Sequence, residues 1–179
     1  MAIIKPLRGI TPKIGKNCFI AETAVIIGDV EIGDDCSIWY GAVLRGDVNS
    51  IRIGNRVNIQ DNAVLHTTYQ KTTIKVGDDV SIGHGAILHG AEVKDGALLG
   101  MGSTVMDNAV VGEGAIVAAN ALVLEKTIIE SATVYAGVPA RFVKKVDPAL
   151  SRETNERIAR NYLFYSGWYK DINQNDKQQ

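Results

Sequence analysis

Aliphatic side chains recur along this chain at every sixth position. Ile14, Ile20, Ile26, Ile32, Ile38 and Leu44 share one spacing, which resumes at Ile53, Ile59 and Leu65 after three extra residues around 48–50. Five more residues, within 66–75, precede Val76, Ile82 and Leu88. One residue is then dropped, and Val93, Leu99, Val105, Val111, Val117, Val123, Ile129 and Tyr135 follow without a break. A period of six scatters residues around an α-helix but keeps them on one face of extended backbone, so the pattern predicts short strands separated by turns. The residue after the aliphatic anchor is often glycine, as at Gly15, Gly33, Gly54, Gly77, Gly83, Gly100 and Gly112. The fourth after it is small, as at Cys18, Ala24, Ala42, Ala63, Ala86, Ala109 and Ala115. Both features suit tight corners around a narrow interior.

Beyond Tyr135 the segment YAGVPARFVKKV leaves this lattice, and Asp147-Pro148 opens another. Leu150, Thr154, Ile158, Tyr162, Tyr165 and Tyr169 recur at three and four, which predicts an amphipathic helix whose apolar stripe packs along the strands or onto a neighbouring subunit. The organisation expected is a single β domain over residues 1–146, a helix over 147–172 and a frayed tail over 173–179.

Nineteen basic against twenty acidic side chains leave no global field to attract nucleic acid or an anionic membrane. No apolar stretch approaches the length of a spanning helix, so a soluble, cytoplasmic protein is expected. Cys18 and Cys36 are the only cysteines, too few for a disulfide framework or a cysteine zinc cluster. The glycines of GMGSTVMDNAVVGEG follow the six-residue spacing, with no β-α-β unit around them, so no dinucleotide or other organic cofactor is expected there.

The lattice over residues 14–140 resembles the hexapeptide-repeat proteins. That resemblance implies an all-β fold, a left-handed parallel β-helix of triangular section with three hexapeptides per coil, followed here by the C-terminal α-helix. On such coils Cys18 and Cys36 stack inward as buried thiols. His66 and His89 follow the anchors Leu65 and Leu88 and fall in equivalent places one coil apart, where parallel strands lie about 4.8 Å from each other. Two imidazoles so stacked can converge on one metal at about 2.0 to 2.1 Å. His84, two residues past Ile82, lies on the preceding face and looks out across a corner. A cyclic trimer would bring it to the site of an adjacent chain. Arg45 and Asp61 lie one coil below His66 and His84 and are expected to pair across that interface. These three histidines are the only ones in the chain, and all fall within two adjacent coils.

The segments LRGDV from Leu44, NIQDNAVLH ending at His66 and SIGHGAILHG narrow the resemblance to the gamma-class carbonic anhydrases. It implies a homotrimer in which His66 and His89 of one chain and His84 of its neighbour bind zinc, with iron or cobalt also suited to imidazole. It implies interface and active-site roles for Arg45, Asp47 and Asp61, a hydrogen bond from Gln60 to the metal-bound water or bicarbonate, and a place for Tyr162 in the pocket wall. The implied reaction is reversible hydration of carbon dioxide to bicarbonate by a metal-bound hydroxide at the trimer interface. The loop TTYQKTT after His66 carries no acid where prototype members have a long acidic loop, and Val48 replaces their glutamate, so the implied turnover is weak or conditional. Two other classes remain open: a hexapeptide-repeat acyltransferase or acyl-CoA thioesterase with histidine as general base, and a non-catalytic, metal-stapled trimeric scaffold.

Overall fold

A computed structural model describes residues 1–175. The end of the expected tail, residues 176–179, lies outside the described residues. The short strands stack in parallel into a β-helix of about seven turns, and a single C-terminal helix follows. The six-residue lattice is its core, arranged as three columns. Ile20, Ile38, Ile59, Ile82, Leu99, Val117 and Tyr135 are successive register partners up one face. Ile26, Leu44, Leu65, Leu88, Val105 and Val123 run up the second. Ile14, Ile32, Ile53, Val76, Val93, Val111 and Ile129 run up the third. The second and third faces are joined by two long strands, Val25–Ile32 and Val43–Ile53, whose pairing shifts between Gly28 and Val30 to take in the three extra residues. All these anchors are buried except Ile14, Ile20 and Tyr135, which are partly covered near the ends of the stack.

Many corners are made three residues after an anchor, where Asn17, Asp35, Arg56, Asn62, Asp79, Asn108 and Asn120 adopt positive φ. Asparagine and aspartate tolerate this left-handed conformation better than other side chains. The glycines directly after the anchors serve a different end, since their φ is ordinary. A Cβ on Gly33 would lie 2.6 Å from the carbonyl oxygen of Gly54 in the next coil, and one on Gly100 would lie 2.5 Å from the amide nitrogen of Ala119. Glycine is there because adjacent coils approach too closely for a side chain.

Thr133–Ala136 pairs antiparallel with Arg141–Lys145, and this hairpin ends the parallel stack. The helix Pro148–Asn175 then runs back along the prism, its start capped by Asp147, whose Oδ1 accepts the N–H of Ala149 at 2.8 Å. Near its start the covered side differs from the apolar stripe expected. Leu150 is exposed, while Ser151, Asn155, Ala159 and Ser166 are buried. Small polar side chains let the helix approach the corners closely enough to bond their carbonyls: Ser151 Oγ donates to Gly114 at 2.5 Å and Asn155 Nδ2 to Gly96 at 2.7 Å. Farther along, Tyr162, Tyr165 and Tyr169 pack on Phe19, Ala21 and Trp39. No helix among the described residues is long and apolar enough to cross a membrane.

Candidate metal centre

His66 and His89 end the short strands Val64–His66 and Ile87–His89 and are register partners. Nδ1 of His66 lies 3.2 Å from Nε2 of His89. The outer nitrogens face carboxylates: His66 Nε2 is 3.1 Å from Asp47 Oδ1, and His89 Nδ1 is 2.7 Å from Asp107 Oδ1. An ionised carboxylate only accepts, so the outer nitrogens carry the protons and the inner ones present lone pairs. Two lone pairs at this distance repel unless a positive charge lies between them. Two ligands of a tetrahedral ion at about 2.0 to 2.1 Å stand roughly 3.3 Å apart, so the pair fits two corners of a zinc site.

The surroundings favour neutral ligands. Burial pushes the His66 imidazole below its ordinary pKa and the Arg45 charge adds to this, against the opposing pull of Asp47. Burial alone would raise the Asp47 carboxyl, but the hydrogen bond and charge of Arg45, and then His66, hold it below the carboxylate range. Asp107 is held low in the same way, against burial, by Thr68 and His89.

His84 lies apart from this pair, in the turn after Ser81–Ile82. Its Nδ1 is 2.8 Å from Asp61 Oδ2, and its Nε2 is 3.1 Å from the Tyr162 hydroxyl. Asp61 therefore fixes the proton on Nδ1 and leaves Nε2 as the available lone pair. The backbone N–H of His84 donates to Gln60 Oε1 at 3.1 Å, and Gln60 Nε2 donates to Asn58 Oδ1 at 2.9 Å. The expected site residues thus fall into two clusters, His66, His89, Arg45 and Asp47 in one and His84, Asp61, Gln60 and Tyr162 in the other. Arg45 pairs within the chain with Asp47, and Asp61 pairs with His84. Among the described residues no three metal-ligating side chains converge within one chain.

Asp107 is the site residue that the sequence reading missed. The N–H of Asn108 donates to the carbonyl of Gly90, which places Asp107 one coil above His89. Counting one coil upward, as was done downward to reach Arg45, is the signal that would have found it.

The sequence matches the bacterial transferase hexapeptide (six repeats) family over residues 11–46 and 90–125. It is 44% identical over 172 residues to a carbonic anhydrase of Geobacillus kaustophilus (strain HTA426), covering 96% of this chain and 93% of that protein. It is also 44% identical to gamma carbonic anhydrase 2, mitochondrial, of Arabidopsis thaliana, covering 86% of this chain and 56% of that protein. The solved structure of a hexapeptide transferase family protein from Anaplasma phagocytophilum aligns with a TM-score of 0.88 at 42% identity, covering 93% of this chain and 98% of that one. Fold and repeat place the molecule among the hexapeptide-repeat β-helix proteins. Within that class, the chain belongs to the gamma-class carbonic anhydrase-like family.

Proposed function

We propose that this protein is a carbonic anhydrase-like lyase that converts carbon dioxide and water reversibly to bicarbonate and a proton, at a metal site shared between subunits of a homotrimer. The observation that carries this reading is the 3.2 Å approach of two imidazole nitrogens whose outer nitrogens are both engaged by carboxylates. His66 and His89 would hold the metal from one chain and His84 from its neighbour. A divalent cation, zinc first among those that imidazole suits, supplies a Lewis acid that lowers the pKa of its water to about 7.

The chain's own groups prepare that site. Asp47, Asp107 and Asp61 each hold one ring nitrogen protonated, so that the other is left with its lone pair free to serve as a ligand. Arg45 keeps Asp47 ionised and His66 neutral. Gln60 fixes the backbone of His84 from a buried position. Assembly is supported by the apolar groups around the ligands: Ile87, two residues before His89, is 40% exposed, and Met101, one coil above His84, is 57% exposed. A trimer contact would cover such groups.

The transferase name of the Anaplasma relative favours a second reading, group transfer, and acyl transfer is the form of it expected of a hexapeptide-repeat protein. That chemistry needs one imidazole base and leaves two of the three carboxylate-held imidazoles unexplained. The test is stopped-flow hydration of carbon dioxide by protein of verified zinc content, with His84→Ala prepared identically. Turnover in the parent that the variant lacks is expected. A fully metallated trimer that turns over no carbon dioxide would overturn the lyase reading and make acyl-CoA substrates the next assay.

A further inference from the structure

Building on the metal-site reading above, we propose that Asp107 is a positioning residue for His89 and that Thr68 and Thr72, from the loop that interrupts the repeat, hold it in place. The loop over residues 67–73 contains most of the five residues added to the lattice, and half-buried Thr68 and buried Thr72 turn back toward the neighbouring coil. Thr68 Oγ1 donates to Asp107 Oδ2 at 2.6 Å. Thr72 Oγ1 accepts the N–H of Thr68 at 2.9 Å and stands 3.5 Å from Asp107 Oδ1. The loop is tied to the long strand below by Asn49, whose Nδ2 donates to the carbonyl of Thr68 at 2.8 Å.

The carboxylate so gripped has its remaining oxygen, Oδ1, 2.7 Å from His89 Nδ1. Space for this arrangement exists because residue 90 is glycine: a Cβ there would lie 2.2 Å from both Asp107 Oδ1 and Thr72 Oγ1. A carboxylate fixed at one oxygen by a hydroxyl cannot rotate away from the imidazole that the other oxygen accepts from. The consequence falls on the tautomer. A free neutral imidazole prefers its proton on Nε2, which here is the nitrogen turned toward His66. Asp107 reverses that preference and leaves Nε2 open as a ligand. The interruption in the repeat is thus the part that sets one metal ligand.

Imidazole nitrogen NMR on metal-free, nitrogen-15-labelled protein reads this directly, since only three histidines contribute. Wild type is expected to show His89 protonated at Nδ1. Asp107→Ala should move His89 toward the Nε2–H form while His66 and His84 keep theirs, and zinc affinity, read by competition with a chromophoric chelator, should fall about 10- to 100-fold. Asp107→Asn keeps an acceptor oxygen and should restore much of both. An unchanged His89 tautomer with zinc affinity within about twofold of wild type in folded Asp107→Ala would overturn the proposal. If that variant fails to fold, Thr68→Val removes only the hydroxyl: a smaller shift in the same direction supports the proposal, and none overturns it. Failure of the metal-site reading looks different, as zinc binding indifferent to His89→Ala, and the tautomer measurement on metal-free protein still decides what Asp107 does.

Discussion

The Tyr162 hydroxyl lies 3.1 Å from Nε2 of His84, the nitrogen that Asp61 leaves unprotonated by engaging Nδ1. One lone pair cannot accept a phenol proton and bind a cation at once. At the proposed metal site Tyr162 would therefore compete with the metal for this ligand, and its ring is held in place by edge contact with Trp39 at 5.4 Å between centroids. Tyr162→Phe keeps the ring and removes the hydroxyl. Zinc affinity of the trimer should rise by about two- to tenfold, the worth of one hydrogen bond. Chelator competition measures it, and a weakened affinity would show that Tyr162 supports ligation.

The division of the histidines into two clusters makes a prediction about mixtures. His84→Ala and His89→Ala should each be inactive alone, because every interface lacks a ligand. In trimers assembled from both, about a quarter of the interfaces would join an intact His84 to an intact His66–His89 pair. Carbon dioxide hydration should recover to about a quarter of the wild-type value in such mixtures. Absence of any recovery in confirmed mixed trimers would mean that the site is not shared.

Why some of this was readable and some was not follows from the kind of interaction involved. Leu65 and Leu88 are legible because a β-helix requires an inward aliphatic residue at each coil, and parallel register makes positions additive, so that His89 over His66 follows from counting. Asp107 was hidden because it acts through a coil-to-coil hydrogen bond and looks, in sequence, like any other acidic residue in a turn. On the C-terminal helix, hydrophobic spacing picked out Leu150, which is exposed, and passed over Ser151 and Asn155, which are buried by virtue of bonds to the carbonyls of Gly114 and Gly96. Periodicity registers apolar burial and is blind to polar burial that backbone carbonyls satisfy.

Two kinds of glycine should separate in a stability measurement. Gly96 has φ near +62° with open space where a Cβ would go, so Gly96→Ala should cost only the strain of a left-handed alanine, about 1 to 2 kcal/mol. Gly100 has ordinary φ, but its added Cβ would meet the backbone of Ala118 and Ala119 at 2.7 and 2.5 Å. Backbone cannot give way as a side-chain tip can, so Gly100→Ala must spread two coils and should be the more damaging change. Urea midpoints for the two variants check the order, and equal losses would refute the reading of the anchor-following glycines as spacers.

The corner acids should make the fold sensitive to low pH. Asp78 Oδ1 accepts the backbone N–H of Asn55 at 2.8 Å, and Oδ2 lies 3.3 Å from Arg56 Nη2. Burial would raise its carboxyl, but the bonds from Asn55 and the charge of Arg56 hold it below the ordinary value. A carboxyl whose pKa is lower folded than unfolded binds fewer protons in the native state, so it contributes stability above the unfolded value of about 3.9 and loses it as the pH falls toward the folded one. Asp78→Asn keeps an acceptor for Asn55 but carries no charge for Arg56. It should be less stable than wild type at neutral pH, and the gap should close as the pH drops below about 4 toward the folded value. Urea midpoints of both proteins across that range test this: a gap that stays constant would mean that the ionised form of Asp78 contributes nothing to the fold.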